Sequence, residues 1–294
     1  MEEADRRNEG LEAPLPEVAG LLEEALGVAE EGRWDEVAET LREALETYPD
    51  DPYILCWLGM AEREIDMDGI AVERFRRSLD QNPRDPVLLA TAGNALAAFD
   101  DPAAGLALRT AALLGKDLAQ ARWMYGAYLV REGMIEEGLV ELEAALKLTP
   151  EDPVVHAERG VAFALLDRME DAESAFSRAL DFDPEDGWTL VLLGLTRVET
   201  GDLEDAIAVL DEGARLRPDD LEAQLLAALL HGATGRNDQA LEMLERARLH
   251  AEGVDEKIVH EVEEHLETGS RSALLMLRSS LGPSSFRERL MQRP

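Results

Sequence analysis

The sequence predicts an all-α chain of stacked helix–turn–helix units, an α-solenoid, and three periodicities carry that reading. The proline-anchored segments Tyr48-Pro49-Asp50-Asp51, Asn82-Pro83-Arg84-Asp85, Thr149-Pro150-Glu151-Asp152, Asp183-Pro184-Glu185-Asp186 and Arg217-Pro218-Asp219-Asp220 form the first. Pro49 and Pro83 are 34 residues apart, as are Pro150, Pro184 and Pro218 in succession, and the 67 residues from Pro83 to Pro150 hold two units, one of them a residue short. Gly59, Gly93, Gly126, Gly160 and Gly194 recur at 34, 33, 34 and 34, with Ala25 and Ala228 one period to either side. Ala71, Ala104, Ala172, Ala206 and Ala240 make the third ladder, with Gly138 at the equivalent place in the fourth unit. A fixed period of this size is the mark of a repeat architecture.

Each unit contains two apolar-periodic stretches of about 12–14 residues, the pattern of paired amphipathic helices. Turn signals separate them, as at Glu31-Gly32-Arg33, Glu132-Gly133, Thr200-Gly201-Asp202 and Thr234-Gly235-Arg236. Small residues such as Gly160 and Ala172 let the two helices of a pair approach closely, and the proline that follows ends the second helix. The third unit departs from the pattern, with a shortened turn at Phe99-Asp100-Asp101-Pro102 and Lys116 in place of proline. One helical pair cannot bury its own apolar face, so neighbours must stack. No alternating stretch is long enough to suggest a strand.

These residues resemble the tetratricopeptide repeat, and the resemblance covers seven units over residues 18–252. The fifth unit carries it most clearly, with Gly160, Phe163, Ala172, Phe176, Ala179 and Pro184 at the family's spacing, although His156 and Arg159 stand at first-helix positions the family usually fills with apolar residues. The seventh unit ends at Glu252 and not at proline. The resemblance implies a right-handed solenoid whose first helices line a concave face. Outside the repeats, residues 1–17 are charged, carry Pro14 and Pro16, and are expected to be disordered. Residues 253–269 are expected to hold a capping helix, with Ile258, Val262 and Leu266 at four-residue spacing, and residues 270–294 an amphipathic tail.

Composition narrows the function. The chain of 294 residues has 63 acidic groups against 29 basic ones, a formal charge of −34. Sequence-independent binding of nucleic acid needs clustered Lys and Arg, so it is not expected. Cys56 is the only cysteine, which excludes an internal disulfide and a thiolate metal site. The start shows no basic segment followed by an apolar one, and no run of about 18 apolar residues occurs, so a soluble cytoplasmic protein is expected. Three lysines against 26 arginines fit a GC-rich coding sequence, as in many bacteria.

The chemistry-bearing residues assemble no catalytic motif. In His260-Glu-Val-Glu-Glu-His265 the two histidines are five residues apart, so their rings diverge by about 140° on a helix and cannot share one metal. There is no phosphate-cradling glycine loop and no Gly-x-Ser-x-Gly elbow. No cofactor, no metal and no enzymatic activity are expected.

Binding is the remaining class. The resemblance places groove residues at Tyr53, Met60, Arg63, Val87, Asn94, Trp123, Ala127, Val130 and Arg131, then at Val154, Val161, Trp188, Val191, Leu195, Leu225 and Leu229. This surface is mostly apolar; only Asn94, Arg63 and Arg131 resemble the carboxylate clamp of the family's best-known groove type. Two accounts of the apolar helices stand side by side: packing between neighbouring repeats, or a groove that receives an apolar or amphipathic segment. Trp123 and Trp188 are the preferred anchors of the second account, whereas Trp34 is assigned to inter-helix packing.

The tail has its own signature. Residues 270–294 carry five arginines against Glu288, a net +4, leaving −38 on the remainder. Ala273, Leu274, Met276, Leu277 and Leu281 share one helical face beside Arg271 and Arg278; Gly282-Pro283 breaks the helix, and a second stretch holds Phe286, Leu290 and Met291. The tail folds back as a lid, docking through Leu274, Leu277, Arg278 and Leu281, or hooks another protein, or touches a membrane surface. A −38 body disfavours the last. As a lid it would be displaceable and salt-sensitive, because about 6–10 kcal/mol of apolar burial is offset by a similar ordering entropy. The expected function is a non-catalytic adaptor or scaffold that holds an amphipathic or extended partner segment with basic flanks in an apolar concave groove, or a chaperone that shields an apolar client, with self-association through the tail a third possibility.

Overall fold

The computed structural model describes residues 13–251, 253 and 255–292, and among these every regular element is helical. The described chain divides into two compact units, residues 13–149 and 150–292.

The first unit holds four helical hairpins: α1 (Pro16–Ala29) with α2 (Trp34–Thr47), α3 (Pro52–Glu64) with α4 (Asp68–Asp80), α5 (Pro86–Ala97) with α6 (Ala104–Leu114), and α7 (Ala119–Arg131) with α8 (Ile135–Leu148). Its core runs through fully buried Leu41, Ile54, Leu58, Phe75, Leu96 and Leu108, and Trp34 packs against it as ordinary inter-helix filling. Helix α1 begins at Pro16, two residues inside the segment expected to be disordered; residues 1–12 of that segment lie outside the described residues.

The second unit holds three hairpins: α9 (Pro153–Leu165) with α10 (Met169–Phe182), α11 (Gly187–Thr200) with α12 (Leu203–Leu216), and α13 (Leu221–Ala233) with α14 (Asn237–His250). Three more helices follow: α15 (Asp255–Thr268), α16 (Ser270–Ser279) and α17 (Leu281–Met291). Helices α15 and α16 both pack on α13, and α17 lies across α9, α11 and α13.

The glycine ladder has a steric cause. A Cβ built on Gly160 would stand 2.5 Å from the Phe176 ring, and one on Gly59 2.9 Å from the Phe75 ring. A side chain at the crossing would force the pair apart. The prolines act at both ends of the inter-hairpin turns. Pro49, Pro83, Pro150, Pro184 and Pro218 fall just beyond the second helices, while Pro52, Pro86 and Pro153 occupy the first helical position, where no donor is lost.

Just before those positions stands a capping aspartate. Asp51, Asp85, Asp152, Asp186 and Asp220 each accept backbone N–H bonds from the first turn of α3, α5, α9, α11 and α13. Leu118 holds this place before α7 and makes no side-chain cap. The shortened turn of the third hairpin is held instead by Asp101, which accepts the Ala103 N–H at 2.9 Å and pairs with Arg76. His156 and Arg159 fit the fifth hairpin as partly apolar bodies. The His156 ring stacks on Phe182 at 5.6 Å and its Nε2 donates to the Pro150 carbonyl at 2.9 Å, while Arg159 lies over Phe163. Burial, with Arg159 and Arg178 nearby, lowers the His156 pKa below its ordinary value of 6.5.

Candidate functional site

In the second unit the first-helix face already carries a helix. The guanidinium of Arg289, on α17, is almost fully buried and donates two N–H bonds to Asp220, at 2.9 and 2.7 Å. Burial alone would raise the Asp220 carboxyl, but the Arg289 fork and charge, the Ala223 N–H and Arg217 outweigh it and hold the pKa at about 2. Ser285 donates to Glu222 at 2.8 Å and accepts from Arg289 Nε at 3.1 Å, which closes a small network. At the other end, Trp188 Nε1 donates to the Gln292 side chain at 3.3 Å. Phe286 and Leu290 on the same helix are buried.

The tail therefore works in two parts. Helix α16 buries Ala273, Met276 and Leu277 and lies against α13 and α15, so it extends the cover over the last hairpin. Helix α17 enters the first-helix face. Of the expected docking residues, Leu277 and Leu281 are buried, Leu274 is half-buried and Arg278 is exposed. Arg278 acts electrostatically: burial raises the Glu199 carboxyl, and the Arg278 charge partly offsets this. The break between the two helices falls at Ser280, two residues earlier than Gly282-Pro283 suggested, with Pro283 inside the first turn of α17. That turn has no intrahelical donors to lose.

The expected groove residues divide sharply in the second unit. Val161, Val191, Leu195, Leu225 and Leu229 are buried, Trp188 is half-buried against the tail, and Val154 stays exposed.

In the first unit the same face holds an apolar cleft of about 530 Å³, walled by α1, α3 and α5. Leu22, Leu26, Tyr53, Cys56, Val87 and Asp85 line it. Leu26 and Val87 are exposed, whereas Tyr53 is buried and donates its hydroxyl to Asp85 at 3.1 Å. Cys56 presents an inert thiol, pushed to about 12 by burial and by the Asp85 charge. Of the other residues named from the sequence, Met60, Asn94 and Trp123 are half-buried, and Ala127, Val130 and Arg131 are buried. Arg131 donates to the Ala127 carbonyl at 3.3 Å and Arg63 pairs with Glu64.

Sequence reasoning missed the capping aspartates as contact residues, and Ser285, Arg289 and Gln292 as tail anchors. The aspartates have a signal, since an Asp precedes a helix start at the repeat period. The tail anchors have none, because Arg289 and Asp220 lie 69 residues apart. Among the described residues no group of three or more His, Cys, Asp or Glu is placed to hold a metal, and no helix is long and apolar enough to cross a membrane. Exposed His260 pairs only loosely, with Glu263 and Glu264 at 3.5 Å on α15, while His265 bonds to Ser272.

Comparison with known proteins follows this geometry. Two family models described as tetratricopeptide repeat match residues 126–187 and 197–258. A curated relative, "Superkiller protein 3" of Schizosaccharomyces pombe, is 27% identical over 118 residues, which is 38% of this chain and 8% of the relative. The chain thus spans less than a tenth of that relative's length. Among solved structures, the anaphase-promoting complex hetero-tetramer Cut9-Hcn1 superposes with a TM-score of 0.68 at 18% identity, over 82% of this chain and 48% of that one. A tetratricopeptide-repeat protein from Parabacteroides merdae gives 0.62 at 12% identity, over 87% and 98%. At these identities the likeness is one of fold.

Proposed function

Because this chain is a tetratricopeptide-repeat protein, a class that generally mediates protein–protein interaction, we propose that it is a non-catalytic scaffold that holds a helical or amphipathic segment of a partner on its first-helix faces. The observation that carries this reading is α17. A twelve-residue stretch ending in Gln292, with buried Leu281, Phe286 and Leu290 and one anchored arginine, lies against first helices α9, α11 and α13. The surface is thus of a kind that takes an amphipathic helix.

Acid groups around these faces favour partners with basic flanks and speed their encounter at low salt. In the second unit the tail is the resident occupant, and a partner for that face must displace it. In the first unit the cleft at Tyr53 and Val87 stands ready.

The test is affinity capture with three forms of the chain: intact, ending at Gly269, and carrying Leu26→Glu. Partners gained on truncation place a lid over the second unit's face, and partners lost with Leu26→Glu place recognition on the first. Identical partner lists from all three forms overturn the reading.

A further inference from the structure

The repeat makes the two first-helix faces internally comparable, residue by residue. Four periods, one of them a residue short, amount to 135 residues. That offset carries Tyr53 onto Trp188, Cys56 onto Val191, Asp85 onto Asp220 and Val87 onto Glu222. It also carries α1, α3 and α5, which wall the 530 Å³ cleft, onto α9, α11 and α13, which lie against α17. The cleft of the first unit is therefore the counterpart of the seat that α17 fills in the second.

We propose that this cleft binds an arginine-bearing amphipathic helix of a partner protein, its guanidinium forked onto Asp85 and its apolar residues against Leu22, Leu26 and Val87. The proposal rests on the scaffold reading above and names the chemistry of its partner. Two observations support it independently of that reading. Asp85 caps α5 through Oδ1, and its Oδ2, which accepts from the Tyr53 hydroxyl, faces the cleft as Asp220 faces Arg289. The cleft is apolar below this carboxylate and also carries Glu23 and Glu30, so it selects a helix apolar on one side and basic beside it.

Charge and tethering argue against two nearer occupants. Residues 1–12 of this chain hold five acidic groups against Arg6 and Arg7, the wrong sign for an acidic cleft. A second copy's α17 is held beside its own seat by its tether, at an effective concentration that a separate molecule must overcome.

The probe is a fluorescent peptide with the sequence of residues 281–292, added to the full chain, whose second seat is filled by its own tail. Binding should saturate at one peptide per chain. Asp85→Asn should weaken it on the order of 10- to 100-fold, the range for a lost charge-assisted hydrogen bond. Asparagine caps a helix as well as aspartate, so α5 stays capped. A peptide with glutamine in place of its second arginine should bind weakly and equally to both proteins.

Absence of saturable binding, or affinity indifferent to Asp85→Asn, overturns the proposal. So does binding that appears only when residues 1–12 are removed, or self-association of the chain that Asp85→Asn abolishes, since these assign the cleft to the other occupants. If cellular partners are lost with Leu26→Glu yet kept with Asp85→Asn, the scaffold reading stands and the arginine rule falls.

Discussion

Arg289 and Asp220 meet through two N–H···O bonds of 2.9 and 2.7 Å, while Asp220 also accepts the Ala223 N–H as the cap of α13. One carboxylate thus starts a repeat helix and fastens the tail. Removing Arg289 leaves Asp220 with Arg217 and the Ala223 N–H, and removing Asp220 leaves the buried guanidinium with Glu222 at 3.8 Å; breaking an enclosed pair of this kind costs up to about 3–5 kcal/mol.

Arg289→Ala should release α17 while α16 stays docked, because α16 rests on apolar contacts of Ala273, Met276 and Leu277. Hydrogen exchange of the α17 amides should accelerate on the order of 100-fold or more, given that cost. The Trp188 emission should shift as its contact with Gln292 is lost. Unchanged exchange would show that Phe286 and Leu290 alone hold the helix.

Salt should have little effect on tail docking. Sequence composition suggested a salt-sensitive lid, but the Arg289 side chain is only 4% exposed and Asp220 11%. Pairs so enclosed are screened far less than exposed ones. Proteolysis of residues 281–292 should proceed at similar rates at about 0.05 and 1 M salt, a range over which the Debye length falls to about 3 Å. A large acceleration would mean that surface charge, not the buried fork, dominates.

Acid should release the tail late. The Asp220 carboxyl titrates at about 2 when docked against an ordinary 3.8, so its contribution is full above about pH 4 and is lost as pH falls towards 2. Asp220→Asn should flatten tail exchange over this interval, and a wild-type midpoint near neutral pH would contradict it.

His156 acts in a higher window. Its folded pKa lies below 6.5, so the unfolded chain takes up a proton that the folded one refuses. Stability of the second unit should therefore fall as pH drops from 7.5 to 5.5. His156→Phe keeps the stack on Phe182 and should lessen this dependence, read as α9 amide exchange at the two pH values. An equal pH dependence in the variant would assign the effect elsewhere.

Gly160→Ala should destabilise the second unit by about 1–3 kcal/mol through overpacking against Phe176. The same substitution at Gly20, which has open space around it, should be neutral or stabilising, since alanine is the better helix former. Urea midpoints of the two variants check the contrast.

The fold was legible because its determinants are local and periodic. Gly160 against Phe176 and Pro153 at a helix start both recur at the 34-residue spacing that the sequence displays. The binding face was legible only as a face. Periodicity put Val87, Val191 and Leu225 on it together, but whether a neighbour covers each depends on distant segments: Val87 is 42% exposed and Leu225 not at all. The dual use of Asp220 was out of reach, since its partner comes from outside the repeat. The two-residue shift in the tail's break has a plain cause as well: Pro283 suits a first turn and does not have to precede it.

The capping aspartates carry a consequence for how such a surface changes over generations. Replacing a capping side chain by one without an acceptor weakens its helix by about 1 kcal/mol, so the hairpin itself favours an aspartate or asparagine at position 85. Exposed wall positions such as Leu26 and Val87 carry no such obligation. Variation there is free to retune which helix is welcomed, around a cap that the hairpin itself favours.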